Sequence, residues 1–360
     1  MTTYPLPVAR KLAEGRDGAS IWLDVPQDLT TVFAYRAGQF ITVETDIDGE
    51  KLTRQYSLSS TPEHDHRLRI TVKKVPQGRV STWLVDEVSV GQFLDVASPR
   101  GLFFKPLEQP RHVLLFSAGS GVAPMVPIAR TLLEKGSGHI ITFVCGNRTE
   151  QTIMLREEVS SLDEDPAVTV EHVLSRANNT WKGPKGRIDR AYLEGHLPNW
   201  LARSDLPISA WLCGPEGFMD VIESVLMGFG VEETDIRHES FDLVLNDDDD
   251  TPSLMVTSQV SGVEGPCELI TAVVGGREIE MVPEEGESIL DTILRTDADV
   301  PFSCQEGTCS SCISKLTEGS ALVRAGVLQT LREDDLEEGL VLACLASPTT
   351  QSVRIDFDEI

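Results

Sequence analysis

Four cysteines toward the end of the chain constrain it more than any other feature. Residues 301–312 read Pro-Phe-Ser-Cys-Gln-Glu-Gly-Thr-Cys-Ser-Ser-Cys, and a further cysteine follows at 344. The spacing Cys304-x4-Cys309-x2-Cys312, completed by Cys344, supplies the four thiolates that two bridged irons need, and it is the spacing of a [2Fe-2S] site. A structural zinc site would more naturally show two C-x2-C pairs, and here there is one. Gly307 and the small residues Ser303, Thr308, Ser310 and Ser311 allow backbone N–H groups to approach anionic sulfurs. Any fold for this segment must therefore bring residue 344 back to a tight loop at 304–312.

At 360 residues the chain is long enough for two or three domains. Residues 1–20 mix Pro, Lys, Arg, Glu and Asp without an apolar core. The apolar stretch 113–129 is broken by Ser117, Gly119, Ser120, Gly121 and two prolines, which suits a strand, a turn and a helix start rather than a membrane span. A soluble, cytoplasmic protein is expected. The seven cysteines then speak for metal or redox chemistry rather than a disulfide framework. Cys145, Cys213 and Cys267 stand apart from the cluster and read by default as small buried apolar residues. A formal charge of −26 speaks against binding nucleic acid or an anionic membrane, both of which need clustered Lys and Arg. It suits a basic partner surface, or simply solubility.

Residues 20–25, 39–44, 68–75 and 93–97 are β-branched and aromatic runs punctuated by Gly and Pro, a rhythm that predicts an antiparallel barrel or sandwich. From 111 the pattern changes to apolar strands (113–117, 140–145, 168–174, 210–213) alternating with helical stretches, which predicts a parallel α/β sheet closing near 238–241. The run Asn246-Asp247-Asp248-Asp249-Asp250-Thr251-Pro252 repels itself and reads as a linker. Beyond it, a hairpin around Gly275-Gly276 and a short helix at 288–295 fit a small α+β unit of β-grasp type.

Arg54-Gln55-Tyr56-Ser57-Leu58 ends a predicted strand, and Lys73-Lys74 and Gly78-Arg79-Val80-Ser81-Thr82 follow. Taken alone these read as ordinary surface and packing residues, the usual role of charged and aromatic groups at strand ends. Gly119-Ser120-Gly121-Val122-Ala123-Pro124 follows a strand and opens a helix, the setting in which a glycine turn cradles a pyrophosphate. Pro124 departs from the G-x-G-x-x-G pattern, although proline is comfortable at a helix start.

Together these segments resemble the ferredoxin-NADP reductase superfamily, whose flavin motif is Arg-x-Tyr-Ser with a later Gly-x-x-Ser. The resemblance implies that Tyr56 packs on the isoalloxazine of FAD, that Ser57 lies near its reactive nitrogen, and that Arg54, Ser81 and Thr82 bind its pyrophosphate. Cys213-Gly214-Pro215-Glu216-Gly217-Phe218-Met219 resembles the family's second nucleotide motif and implies that Cys213 and Gly214 lie near the nicotinamide. His238-Glu239-Ser240-Phe241 resembles its His-x-Glu-x-Phe ending and implies Glu239 at the flavin or nicotinamide edge. Ser57, Cys213 and Glu239 are thus the catalytic candidates. Lys73, Gly78, Val80, Gly119, Gly121, Pro124, Arg148, Pro215 and Phe241 complete the cofactor-binding set. Ser175 and Arg176 fall where the family reads the adenosine ribose; they suit a 2′-phosphate and favour NADPH, the alternative being a basic loop that accepts NADH as well.

The cysteine loop in turn resembles plant-type ferredoxins, which implies a one-electron carrier at about −400 mV. The expected architecture is multidomain: an antiparallel β-barrel FAD domain (1–108), an α/β parallel-sheet nucleotide domain (109–244), an acidic linker (245–265) and an α+β β-grasp ferredoxin domain (266–360). That order resembles the reductase components of multicomponent oxygenases, such as those of 3-ketosteroid 9α-hydroxylase and phenylacetyl-CoA epoxidase. It implies an NAD(P)H-dependent oxidoreductase passing electrons through FAD and [2Fe-2S] to a terminal oxygenase of Rieske or di-iron type. Two other readings stay open: a reductase for another one-electron acceptor, such as a hybrid-cluster protein or cytochrome, and a non-enzymatic electron relay.

Overall fold

The structure is a computed structural model of the chain. It describes all residues except 1, 135–137, 240–253, 259, 261, 285, 297, 303–306, 308–309 and 325–330, and the side chain of 333. The chain divides into two compact units, Thr3–Asp242 and Leu243–Ile360, the second also taking in Met1–Thr2.

The first unit begins with strands β1 (Tyr4–Glu14), β2 (Gly18–Leu23), β3 (Phe40–Ile47), β4 (Glu50–Ser57) and β5 (Leu68–Lys73), helix α1 (Arg79–Asp86) and strand β6 (Phe93–Val96). They form one antiparallel sheet in the order β4-β3-β6-β1-β2-β5. A bridge between Leu58 and Ile70, with Ser59 N–H donating to Arg69 O at 2.7 Å, joins the outer strands and closes the barrel. Closure leaves no open edge on the ring. Alternating residues Leu6, Val8, Ile21, Leu23, Ile41, Val43, Ile70 and Val72 fill its interior, each contributing roughly 1.5–3 kcal/mol of burial. Helix α1 is not announced by the strand rhythm around it; Val80 and Leu84, four apart, turn its apolar face onto the barrel core.

A crossover segment carrying the buried Phe103 and Phe104 leads to strands β7 (His112–Ala118), β8 (Ile140–Asn147), β9 (Val168–Leu174), β10 (Ile208–Cys213) and β11 (Ile236–Glu239). All pair in parallel, in the order β11-β10-β7-β8-β9. Helices α2 (Val122–Leu133) and α3 (Arg156–Leu162) cover one face; α4 (Arg190–Leu201) and α5 (Glu216–Gly228) cover the other. Buried on both sides, β7 and β10 read as continuous apolar runs, as central parallel strands do.

The second unit holds strands β12 (Leu254–Thr257), β13 (Leu269–Val274) and β14 (Arg277–Met281), helix α6 (Ile289–Leu294), strands β15 (Ile313–Glu318) and β16 (Ser320–Val323), helix α7 (Glu333–Glu337), and strands β17 (Leu340–Leu342), β18 (Ala346–Pro348) and β19 (Ser352–Asp356). A five-stranded mixed sheet runs β14-β13-β19-β15-β17, beside a three-stranded sheet β12-β16-β18. The β13–β14 hairpin turns on Gly275 and Gly276, both at positive φ (57° and 71°), with their N–H groups donating to the Asp358 carboxylate. Ser288 caps α6 in a reciprocal box with Asp291.

One boundary is corrected here. The stretch expected as linker, 245–265, ends earlier than its sequence suggested, because Leu254–Thr257 pairs with β16 residue for residue. Glu264 also bridges Thr350. The acidic run 246–250 itself lies outside the described residues.

Candidate cofactor sites

Along the chain β7 is followed by β8 and β9 on one side of it, whereas β10 and β11 lie on the other. Open α/β sheets bind ligands at such a reversal, beyond the carboxyl ends of the strands. Two of the expected nucleotide loops emerge there side by side: Gly119–Gly121 after β7, and Cys213-Gly214-Pro215 after β10. Their contact explains their glycines. A Cβ on Gly121 would stand 2.1 Å from the Cys213 carbonyl oxygen, and one on Gly214 would stand 2.8 Å from the Phe218 ring and 2.9 Å from Ala118 Cβ. Pro124 sits in the first turn of α2, where no N–H is needed, and Pro215 caps α5.

Lys73, at the end of barrel strand β5, reaches this loop: its Nζ is 3.1 Å from where a Cβ on Gly119 would be. Burial lowers its pKa, the nearby Arg148 guanidinium adds to the lowering, and Asp17 opposes it. Lys73 thus stands at the glycine turn with the Arg148 charge near it, an arrangement suited to a pyrophosphate. Ser175 and Arg176 follow β9, exposed, with their N–H groups donating to Asn147 O (2.9 Å) and Arg148 O (2.8 Å).

The three catalytic candidates meet where the barrel joins the parallel sheet. Ser57 Oγ donates to Glu239 Oε2 at 2.9 Å, and Cys213 stands opposite Glu239 in the β10–β11 register. Burial pushes the Glu239 carboxyl up to about 7, with the Ser57 hydroxyl drawing it back. Burial raises the Cys213 thiol well above its usual range, and the Glu239 charge raises it further. Burial of this kind disfavours the thiolate and with it nucleophilic reactivity.

On the barrel, Tyr56 and Ser57 end β4, with the Tyr56 hydroxyl raised by burial against the opposing Arg54 charge. Arg54 is exposed, its guanidinium donating to Thr53 O at 2.7 Å. Gly78 precedes α1, where a Cβ would lie 2.5 Å from Ser81 Oγ and 2.3 Å from Val75 Cγ2. Val80 and Ser81 lie in the first turn of α1, whose free N–H groups favour an anion, and Thr82 follows with its N–H donating to Gly78 O at 3.2 Å.

In the second unit, antiparallel pairing of β15 with β17 sets Ile313 opposite Leu342 and returns Cys344 to Cys312, Sγ to Sγ 3.3 Å. Two thiolates at that separation fit one iron of a cluster. Gly307 has φ 81°, and a Cβ there would lie 2.2 Å from Leu345 Cδ1. Cys304 and Cys309 lie outside the described residues, as do Ser303, Thr308, Ser240 and Phe241. Of the other cysteines, Cys145 is buried in the sheet core and Cys267 is half-buried.

Asn147 lies outside every motif read from the sequence. It ends β8 beside the glycine loops, and among the described residues its Oδ1 is buried without a hydrogen-bond partner. A buried orphan acceptor is costly unless something donates to it, and a sugar hydroxyl fits. Its place at a strand carboxyl end was the available signal.

A closed flavin-type barrel, a parallel sheet with nucleotide loops at its reversal point and a cysteine-bearing mixed sheet define a pyridine-nucleotide-dependent flavin reductase carrying its own iron–sulfur domain. Comparison agrees at each part. Residues 5–104 match the oxidoreductase FAD-binding domain, 115–224 the oxidoreductase NAD-binding domain and 272–349 the 2Fe-2S iron-sulfur cluster binding domain. The chain is 33% identical to one of the subunits of the Escherichia coli 1,2-phenylacetyl-CoA epoxidase, over 99% of each chain. It is 30% identical to the ferredoxin reductase component of 3-ketosteroid-9-alpha-monooxygenase from Rhodococcus rhodochrous, over 98% of this chain and 96% of that one. Phthalate dioxygenase reductase shares the fold, with a TM-score of 0.56 and 23% identity over 99% and 98% of the two chains. The chain belongs to the family of FAD- and [2Fe-2S]-containing reductase components of multicomponent oxygenases, oxidoreductases that move electrons from NAD(P)H to an oxygenase. No helix among the described residues is long and apolar enough to cross a membrane.

Proposed function

We propose that this chain oxidises NADPH in preference to NADH and delivers the electrons singly to the metal centre, Rieske-type or di-iron, of a terminal oxygenase in the cytoplasm. We divide it into an FAD domain (1–108), a nucleotide domain (109–244) and a ferredoxin domain that begins with β12 at Leu254. The observation that carries the reading is the meeting of Ser57 from the barrel with Glu239 and Cys213 from the parallel sheet. Flavin and nicotinamide must touch at such a joint.

Bound FAD accepts two electrons together and releases them one at a time, and the cluster carries them singly; that chemistry is the cofactors' own. The protein's part is to bind and orient. Tyr56 offers a face to the flavin ring, and Arg54, Lys73, Gly78, Val80, Ser81 and Thr82 hold its phosphates or line its approach. Gly119, Gly121, Pro124, Arg148, Gly214 and Pro215 receive the nucleotide, with Lys73 shared between the two. Ser57 and Glu239 hold a proton and a hydrogen bond at the ring edge, and Cys213 excludes water behind it. Phe241 is assigned to cofactor binding by the resemblance alone. Cys304, Cys309, Cys312 and Cys344 ligate the cluster.

The preference for NADPH rests on Ser175 and Arg176, exposed beyond the carboxyl end of β9, whose hydroxyl and guanidinium suit charge-assisted bonds to a 2′-phosphate. An anaerobic titration with each nucleotide, followed by electron paramagnetic resonance, tests it. NADPH is expected to half-saturate at the lower concentration, to bleach the flavin band and to generate a reduced [2Fe-2S] signal. In Arg176→Ala the advantage over NADH falls roughly tenfold or more, as loss of a charge-assisted bond implies. Equal half-saturation in the unmodified protein would reject the preference. Reduction of purified Rieske and di-iron oxygenases, a hybrid-cluster protein and a cytochrome identifies the acceptor class.

A further inference from the structure

Barrel strand β5 is tied to the nucleotide domain twice, by groups outside the cofactor loops. At its Lys73 end it pairs with Gly18 of β2, and Lys74 N–H donates to Asp17 O at 2.8 Å. The hairpin that carries Asp17 and Gly18 is seated on residues 151–155. Glu14 Oε2 accepts from Leu155 N–H at 2.9 Å while Oε1 accepts from Ser20 Oγ at 2.6 Å, and Arg16 N–H donates to Gln151 O at 2.7 Å. Leu155 has φ 50°, a left-handed turn for a branched residue that its donation to Glu14 helps hold. Four residues before Lys73 on the same strand, the buried Arg69 guanidinium pairs with Glu158 of α3 and donates to Ser59 O at 2.6 Å, its Cζ 5.4 Å from the Trp22 ring centroid.

We propose that Glu14 and Glu158 are positioning residues for the nucleotide. They hold strand β5 so that Lys73 Nζ stands over the Gly119 loop, and they act on turnover through Lys73. Domains in one chain move relative to each other unless their interface prevents it. Reaction between two bound partners is steep in their separation, with about 1 Å worth roughly 100-fold. A cation supplied by one domain to a loop of the other is therefore only as well placed as the contacts that dock its strand. This rests on the reading of Lys73 as a phosphate ligand.

A double-mutant cycle in the full-length, FAD-loaded protein tests it. Flavin reduction by NADPH is followed in anaerobic stopped flow for the unmodified protein, E14Q/E158Q, K73Q and the triple variant. In E14Q/E158Q the half-saturating NADPH is expected to rise and the limiting rate to fall, roughly tenfold in their ratio, with FAD content unchanged. In the K73Q background the same substitutions should change nothing further. An equal loss in both backgrounds, or no loss in either, overturns the proposal while leaving Lys73 a ligand. A normal K73Q overturns the ligand reading and the proposal with it. Should E14Q/E158Q fail to retain FAD, E158Q alone, which leaves Arg69 its bond to Ser59 O, decides by the same comparison.

Discussion

The Ser57 hydroxyl, from the last residue of a barrel strand, ends on the Glu239 carboxylate of the nucleotide domain at 2.9 Å. A serine far from the carboxyl in sequence thereby opposes the burial that raises it, where the barrel meets the parallel sheet.

The first prediction concerns pH. Burial raises Glu239 from the ordinary carboxylate value to about 7, so the folded protein holds a proton there that the unfolded chain releases. The stability so gained is complete below the unfolded value and is lost as pH rises through about 7. Glu239→Gln should thus raise the melting temperature relative to the unmodified protein more at about pH 8 than at about pH 5. In Ser57→Ala the hydrogen bond that lowers the carboxyl is gone, so any step in the pH profile of flavin reduction moves upward, with a rate loss of roughly tenfold. An unmoved step would separate Ser57 from Glu239.

The second concerns Gly121. Its missing Cβ would overlap the Cys213 carbonyl oxygen at 2.1 Å, a backbone atom held in the β10 register. Gly121→Ala should cost about 1–3 kcal/mol of stability in denaturant unfolding and weaken NADPH binding, while absorbance shows FAD retained.

Cluster removal gives the third. Cys344→Ser withdraws one of two thiolates that pairing of β15 with β17 brings together. The [2Fe-2S] resonance should vanish and oxygenase reduction cease, whereas NADPH still bleaches the flavin, because the flavin and nucleotide sites lie in the other compact unit. Loss of flavin bleaching in this variant would show that the two units are not separable in function.

A fourth tests the loop itself. Gly307 combines φ 81° with contact on Leu345, so Gly307→Ala strains the backbone and displaces the residue next to Cys344. Iron content after purification should drop, and adding the smaller Leu345→Ala change should restore part of it by relieving the contact but not the strain.

Much of this protein was legible in its residue order. The cysteine spacing, the turn at Gly275-Gly276, the capped helix at Ser288 and the change from barrel to parallel-sheet rhythm near 111 are local patterns, set by short-range geometry and hydrophobic periodicity. The motif segments around Arg54, Gly119 and Cys213 were likewise readable, because glycine and charge at strand ends carry their meaning within a few residues. What the order could not announce depends on residues distant in sequence becoming neighbours. Leu254–Thr257 reads as the tail of an acidic linker until β16 pairs with it. Asn147 reads as an unremarkable strand end. Glu14, Arg69 and Glu158 belong to no motif, and their pairing exists only because the barrel packs on the parallel sheet. Residue order set the cofactors' chemistry, through the types and spacing of ligands. Folding alone settled which groups share a dielectric, a proton or a partner, because burial and electrostatic coupling are properties of proximity rather than of order.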